Sequence, residues 1–327
     1  MDVLGAAENA DDITWWENDG SESFTKRTID GYFDGTYSVY ATDVDSDGDV
    51  DVLGAARLTD SLSWWENTAT FSFNPGWTSH SISTEADAAY SVFAIDLDND
   101  GDVDVLSASE FDDKIAWYEN DGSQSFTTHT ISTNADGANT VHAIDLDNDG
   151  DVDVLSASYN DDTIAWYEND GSESFTKKVV TSSVNAPASL YPIDVDSDGD
   201  LDIVTASVLD DRIAWHENDG SESFTLHTIS TNADDGYGVY AIDVDSDGDI
   251  DVLSASEDDD KIAWYENDGS ESFTTHIITT SANAAFSVFA IDLDNDGDID
   301  VLSASRDDDK IAWYENDGSE SFTAYSI

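Results

Sequence analysis

The sequence predicts an all-β fold, a seven-bladed β-propeller of four-stranded blades in which the first blade lacks its innermost strand. Three observations predict it. A W-x-E-N tetrapeptide begins at Trp15, Trp64, Trp117, Trp166, Trp215, Trp264 and Trp313. The interval is 49 residues throughout, except for one step of 53. Each interval contains four short runs with β character, and a 40–50-residue unit of four strands is the signature of a propeller blade. Residues 1–327 are therefore read as a single propeller domain whose first copy, residues 1–30, is incomplete.

In the last copy the runs are SVFAIDL (Ser287 to Leu293), IDVLSAS (Ile299 to Ser305), KIAWYEN (Lys310 to Asn316) and FTAYSI (Phe322 to Ile327). They are rich in Val, Ile, Phe, Tyr and Trp and are separated by Gly, Asp, Asn and Ser, which are strand and turn signals. Nothing sustains a 3.6-residue period, so no helix is expected. Ile115 and Trp117 fall on one face of their strand, Ala116 and Tyr118 on the other. Both faces are apolar because a single four-stranded sheet buries too little alone and must be covered by neighbouring blades.

Two irregularities stand out. The longer step lies in NTATFSFNPGW (Asn67 to Trp77), which brings Trp77 into register with Phe24 and Phe126 as a core aromatic. Asp2-Val3-Leu4 aligns with Asp51-Val52-Leu53, so the first copy lacks its first strand and nearly all of the loop that follows. The alternatives are an excised piece of a longer protein, a ring closed with a three-stranded blade, or a partner or self-association at the incomplete blade; the first two together are favoured.

The loop between first and second strands reads D-x-D-x-D-G-D-x-D six times. The candidate metal-binding aspartates are Asp43, Asp45, Asp47, Asp49 and Asp51; Asp96, Asp98, Asp100, Asp102 and Asp104; Asp145, Asp147, Asp149, Asp151 and Asp153; Asp194, Asp196, Asp198, Asp200 and Asp202; Asp243, Asp245, Asp247, Asp249 and Asp251; Asp292, Asp294, Asp296, Asp298 and Asp300. Hard oxygen donors at alternating positions suit a hard cation, Ca²⁺ ahead of Mg²⁺, and about six ions are expected. In the first loop the side chains of Asp43, Asp45, Asp47 and Asp51 are the expected ligands. Asp49 holds the seventh position, where a backbone carbonyl commonly serves. Strands flank the loop and position 12 is Gly54, Ser or, in one copy, Thr205, so this is not an EF-hand. A metal-free, solvated acidic turn is the alternative, but fixed glycine and spacing in six copies weigh against it. Five carboxylates in one turn raise one another's pKa and resist folding until a cation neutralises them.

With its acidic loop between the first two strands of a 49-residue blade, followed by DVLSAS, the unit resembles the FG-GAP/VCBS repeat, known from integrin α-subunit propellers, secreted bacterial proteins and a fungal calcium-containing lectin. The Phe-Gly and Gly-Ala-Pro elements of the name are not present as such. The resemblance implies a seven-bladed propeller with calcium at one face and ligands at the opposite face or in clefts between blades. It covers adhesins, lectins, scaffolds and domains of polysaccharide-active enzymes alike, so fold alone does not select a function.

Composition narrows the choice. With 74 acids against 10 bases, a formal charge of −64, the chain cannot offer the basic face that nucleic acid requires, and it disfavours anionic membranes. Setting aside the 30 loop aspartates still leaves 44 acids, a surplus that high salt would screen. The 36 aromatics among 39% hydrophobic residues suffice for a packed core. There is no cysteine, no apolar run of membrane-spanning length, and no signal-peptide pattern after Met1. The expected location is extracellular, secreted or at a cell surface, with any export signal outside this chain. No catalytic residue is expected: nucleophile elbows, phosphate loops and His-rich clusters are missing.

His80, His129, His227 and His276 share one fourth-strand position, and His142 and His216 replace aromatics of other copies, all of which reads as packing. Asp11, Asp60, Asp113, Asp162, Asp211, Asp260 and Asp309 recur in the turn between second and third strands and are expected to cap it through Asx hydrogen bonds rather than act as acid–base pairs. The copies differ at the two positions opening that turn (Glu8-Asn9, Arg57-Leu58, Glu110-Phe111, Tyr159-Asn160, Val208-Leu209, Glu257-Asp258, Arg306-Asp307) and in the connections between blades, from DGYFDGTY to SSVNAPAS. Both sets are expected opposite the calcium loops, where a glycan or protein ligand would bind if there is one. The expected function is a calcium-binding, non-enzymatic adhesion module or scaffold within a larger secreted bacterial protein. A lectin with inter-blade sugar sites is the alternative, ahead of a polysaccharide-active domain.

Overall fold

The computed structural model describes residues 1–21, 23–68 and 76–327. It contains seven antiparallel sheets, six with four strands and one with three. Blade 3 illustrates the unit: Ala89–Ile95, Asp104–Ser109, Lys114–Asn120 and Phe126–Ser132 run up and down in sequence order, the first strand innermost. Blade 1 has only Val3–Ala7, Asp12–Asn18 and Phe24–Asp30, which correspond to the second, third and fourth strands of the others. The sequence placed the first strand of blade 7 two residues late; it spans Ala285–Ile291. The extra residues of blade 2 fall largely on 69–75, outside the described residues, but Trp77 does take the Phe126 position, pairing with Asn67 as Phe126 pairs with Asn120.

Alternation places the core between blades. Ile115 and Trp117 pack with Ala165 and Tyr167 of blade 4, whereas Ala116 and Tyr118 pack with Leu62 and Trp64 of blade 2. Each sheet is thus covered on both faces, and Trp64, Trp117, Trp166, Trp215, Trp264 and Trp313 are 0–1% exposed. The ring closes through blade 1: Trp16 and Val3 meet Trp313 of blade 7, while Ile13 and Leu4 meet Trp65 of blade 2.

The innermost strands also contact one another. The backbone N–H of Val92 donates to Ser38 Oγ of the preceding blade, that of Val141 to Ser91, and that of Val239 to Ser189. Two residues further on, Tyr40, Phe93, His142, Tyr191, Tyr240 and Phe289 line the axis, with successive ring centroids 4.3–5.9 Å apart. Burial holds His142 neutral, its pKa pushed down to about 4, as befits a ring that substitutes for an aromatic.

All six innermost strands carry a β-bulge after their first residue, so Tyr37, Tyr90, Asn139, Ala188, Tyr237 and Phe286 have no partner in the second strand. A bulge bends its strand and re-aims the extra side chain.

Truncating a keystone indole removes contacts to two blades at once. Trp166→Ala is expected to cost about 3–5 kcal/mol, whereas Trp77→Phe, which restores the residue found in other copies, is expected to cost less than about 1.5 kcal/mol. Urea unfolding followed by tryptophan fluorescence and circular dichroism measures both.

Candidate functional site

Two places concentrate chemistry, one on each face of the ring. On the first, the acidic loops share one geometry. In blade 3, Asp96 accepts from the N–H of Asp100 (3.1 Å) and of Gly101 (3.0 Å), while Asp98 accepts from Asp100 and Asp100 from Asp102. Two residues lie in the left-handed region, Asn99 at φ 61° and Gly101 at φ 100°. Open space surrounds Gly101, so the backbone conformation and not crowding requires glycine there. At the base, Asp104 is fully buried and accepts from the N–H of Leu97 (3.0 Å) and of Asn120 (2.8 Å), tying first, second and third strands together.

Carboxylate oxygens of Asp96, Asp98 and Asp104 lie within 4.8 Å of one another, and so do those of Asp43, Asp45 and Asp51 and of Asp145, Asp147 and Asp153. The first, third and ninth positions of the loop are therefore gathered. The fifth, such as Asp100, turns an oxygen to its own loop backbone. The seventh points elsewhere: Asp102 crowds Gly122 of the turn between third and fourth strands, and Asp151, Asp200, Asp249 and Asp298 crowd Gly171, Gly220, Gly269 and Gly318 alike. Among the described residues no Lys, Arg or His pairs with any loop aspartate.

This donor set fits a hard divalent cation: three converging oxygens, one from a buried carboxylate, with no counter-charge from the protein. Burial drives the ninth-position carboxylates up against the pull of their backbone N–H donors, to about 6 for Asp51, Asp104, Asp153 and Asp300 and about 7 for Asp202 and Asp251. Burial, with neighbouring aspartates behind it, also raises the third-position residues Asp98 and Asp196.

On the opposite face the bulged residues converge with the turns that vary between copies. Tyr37 stands 4.3 Å from Tyr90 and 5.5 Å from Phe286, and Tyr237 stacks on Phe286 at 4.5 Å. Arg57 covers Tyr90 at 5.1 Å, bonds Glu8 at 3.2 Å and faces Glu110 at 3.8 Å. The last distance is too long for a hydrogen bond, so Arg57 Nε and Glu110 Oε2 form a buried ion pair without hydrogen-bond partners. Arg306 of blade 7 pairs with Glu257 of blade 6 in the same way. Burial, then the adjacent phenols and carboxylates, raise Tyr37 and Tyr90 well above the ordinary phenol range, and burial takes Tyr237 to about 12. In the turns and connections of this face Tyr32, Leu58, Phe111 and Leu209 are each at least 60% exposed.

The FG-GAP-like repeat matches at residues 43–107, 96–156, 145–205, 194–254, 243–303 and 292–327, tiling most of the chain. The chain belongs to the FG-GAP-like repeat family. No curated protein matches it. Among solved structures it resembles a lectin of Agrocybe aegerita described as recognising non-reducing terminal N-acetylglucosamine (15% identity over 99% of this chain and 89% of that one, TM-score 0.68). It also resembles a putative 6-phosphogluconolactonase of Bacteroides fragilis (11%, 100% and 93%, 0.69) and a virginiamycin B lyase of Staphylococcus aureus (14%, 90% and 84%, 0.60). At these identities the likeness is one of fold.

The remaining residues singled out in this FG-GAP-like chain are architectural. His80, His129, His227 and His276 stack on Trp64, Trp117, Trp215 and Trp264 at 4.5–4.6 Å and bond Glu66, Glu119, Glu217 and Glu266. Arg27, Lys178 and Tyr325 take the same place between Trp and Glu in blades 1, 4 and 7. The recurrent turn aspartates adopt φ of 51–58°, and six of them reach beyond their own turn. Asp11 accepts from Gly35, Asp60 from Ala88 and Asp162 from Ala186, fastening each turn to the connection that enters the next blade. The expected Asx capping within the turn is corrected: the side-chain bonds of these aspartates run to the connection 24–28 residues further on. The mouth aromatics escaped the sequence reading because a bulge leaves no mark in alternation; the signal available was variation at that position, Tyr, Tyr, Asn, Ala, Tyr and Phe.

The raised carboxylates set a pH dependence. With folded pKa near 6–7 against about 3.9 unfolded, their contribution to metal-free stability is full below about pH 4 and is lost as pH rises through 6–7. In chelator the melting temperature is therefore expected to be higher at pH 5 than at pH 8. Millimolar Ca²⁺ is expected to reverse the order, because a cation bound to the ionised form would add about 2.7 kcal/mol per site at 100-fold excess over Kd. Asp104→Asn is expected to lower the melting temperature in chelator, because the amide nitrogen cannot accept the N–H that one carboxylate oxygen takes, and to shrink any calcium-induced gain. Calorimetry at both pH values tests all three.

Proposed function

We propose that this chain is a calcium-stabilised, non-enzymatic binding or adhesion module that works outside cells as part of a larger secreted protein, and that it engages its ligand through the axial mouth opposite the acidic loops. The observation that carries this reading is the division between the faces. The acidic loops repeat one geometry six times, as architecture does, whereas the mouth combines residues that differ from blade to blade: Arg57, Glu8, Glu110, Arg306, Glu257 and the bulged aromatics. Buried polar atoms at 3.8 Å, beside aromatic rings and on a face that also exposes apolar side chains, suit a ligand with both hydroxyl or amide groups and an apolar surface. Extracellular calcium, at millimolar concentration, suits loops of this donor type.

A second reading, a lectin with sugars between blades, has its own observation. A cleft of about 370 Å³ between blades 4 and 5 is lined by Asp149, Trp166, Asp200, Asn218, Ser221 and Glu222. Trp166 is 1% exposed there and lies under Lys178, which leaves little ring for a sugar to stack on.

Arrays of glycans and extracellular-matrix proteins, probed with the chain in ~2 mM Ca²⁺, separate the readings. Arg57→Glu with Phe111→Asp is expected to weaken binding by about tenfold or more, a loss of at least ~1.4 kcal/mol, while calcium-dependent melting persists. Loss of glycan binding on Asn218→Ala, with the mouth variant unaffected, would favour the inter-blade lectin. Turnover of a polysaccharide or lactone would displace both.

A further inference from the structure

Blade 1 leaves a place in the ring open. The innermost strands of blades 2 to 7 stand side by side around the axis, but between Thr36–Thr42 of blade 2 and Ala285–Ile291 of blade 7 there is a groove of about 350 Å³. Its walls come from three blades: Val3 and Leu4, Val39 and Ala41, and Leu302 and Ala304. Val3–Ala7 forms one edge of its sheet, so its backbone N–H and C=O groups on that side point toward the groove.

The surroundings show what is missing. Ala55, Ala108, Ala157, Ala206 and Ala255 are sealed by the innermost strand of the following blade, at 0% exposure, but Ala304 is not sealed. Ser287 and Phe289 of blade 7 are exposed, whereas Ser91 and Phe93 of blade 3 are partly covered. Ser287 lines the groove at the position from which Ser38, Ser91 and Ser189 each accept an N–H from the next strand, and Val39 lines it where Val92, Val141 and Val239 donate one. The chain of ring contacts along the axis runs from Tyr40 round to Phe289 and stops at the groove's two sides.

We propose that this groove is a β-strand acceptor, and that its occupant is an extended peptide segment with the pattern of the chain's own innermost strands: small residue or Pro, any, Ser, Thr or Gly, Val or Leu, aromatic or His, Ala or Pro, Ile or Thr, then Asp. The six strands already in the ring define that chemistry, since each fills the equivalent place between two blades. The strand adds antiparallel to Val3–Ala7 by main-chain hydrogen bonds, its side chains reading alternate pockets. Register follows from blade 7, where Phe289 opposes Leu302, Ala290 opposes Val301 and Ile291 opposes Asp300. In the groove the aromatic opposes Leu4, the following Ala opposes Val3 and the Ile opposes Asp2. The added aromatic joins Phe289 to Tyr40, and the added Ser and Val pair with Val39 and Ser287. This inference is independent of the ligand at the axial mouth.

The probe is a labelled twelve-residue peptide with the sequence of residues 285–296, AFSVFAIDLDND. Titrated into the intact chain with Ca²⁺, it is expected to bind saturably at one site per chain, to raise the melting temperature, and to outbind a scrambled peptide at least tenfold. Ala304→Trp, which fills the groove wall, is expected to weaken binding at least tenfold without lowering the melting temperature of the free chain. Because the chain has no cysteine, register is read separately. Leu4→Cys is expected to form a disulfide with a peptide carrying Cys in place of its Phe289 equivalent, and not with one carrying Cys at the next position. No saturable binding, equal binding of the scrambled peptide, or equal cross-linking at both positions overturns the proposal. So does a concentration-dependent dimer in sedimentation that the peptide fails to dissociate, which would assign the groove to a second copy.

Discussion

Everything on the acidic face depends on six carboxylates that the fold buries without a counter-charge. Asp51, Asp104, Asp153, Asp202, Asp251 and Asp300 are 0–1% exposed, and each accepts two backbone N–H bonds, one from the loop and one from the end of the third strand. Those bonds lock three strands of a blade at one point. They do not fully compensate for desolvation, so the same carboxylates are pushed up toward neutral pH. A cation placed among them would turn a strained knot into a clamp, and three strands would share the gain.

The packing between blades distributes that constraint around the ring. Asn120 reaches from the end of its strand to the carbonyl of Val44 in the preceding blade's loop and to Val103 in its own, so one loop's shape is felt by the next blade. Trp117 and its equivalents fill the same boundary from within. On the opposite face the turn aspartates perform the matching task, hooking each blade to the connection that leads onward. Repetition at both ends of the blade is what frees the mouth to vary: its side chains stand on bulges and turn openings, outside the inter-blade bonds that recur in every copy.

Much of this was readable from residue order. Seven W-x-E-N copies counted the blades, alternation assigned Ile115 and Trp117 to one neighbour and Ala116 and Tyr118 to the other, and the alignment of Asp2 with Asp51 located the three-stranded blade. The loop aspartates were legible as a group, but not their division of labour. Asp102 and its equivalents turn away toward a glycine in the next turn, a contact set by how two hairpins of one blade lie against each other. The Trp–His–Glu stacks were likewise visible only as repeated letters, because stacking depends on which residues of third and fourth strands fall opposite, as Trp117 and His129 do.

Sequence alone determined the repeat, the strand count, the acidic motif and the faces on which each residue lies, because period-2 alternation and fixed spacing are local properties of the chain. Tertiary structure alone decided two things. It brought Tyr37, Tyr90, Tyr237, Phe286, Arg57 and Arg306 together at one mouth, since residues from blades far apart in sequence meet only where a closed ring brings their inner ends to one axis. It also left a walled groove in the place of a seventh inner strand, because blades 2 and 7 are held apart by the three strands of blade 1 and cannot collapse onto each other.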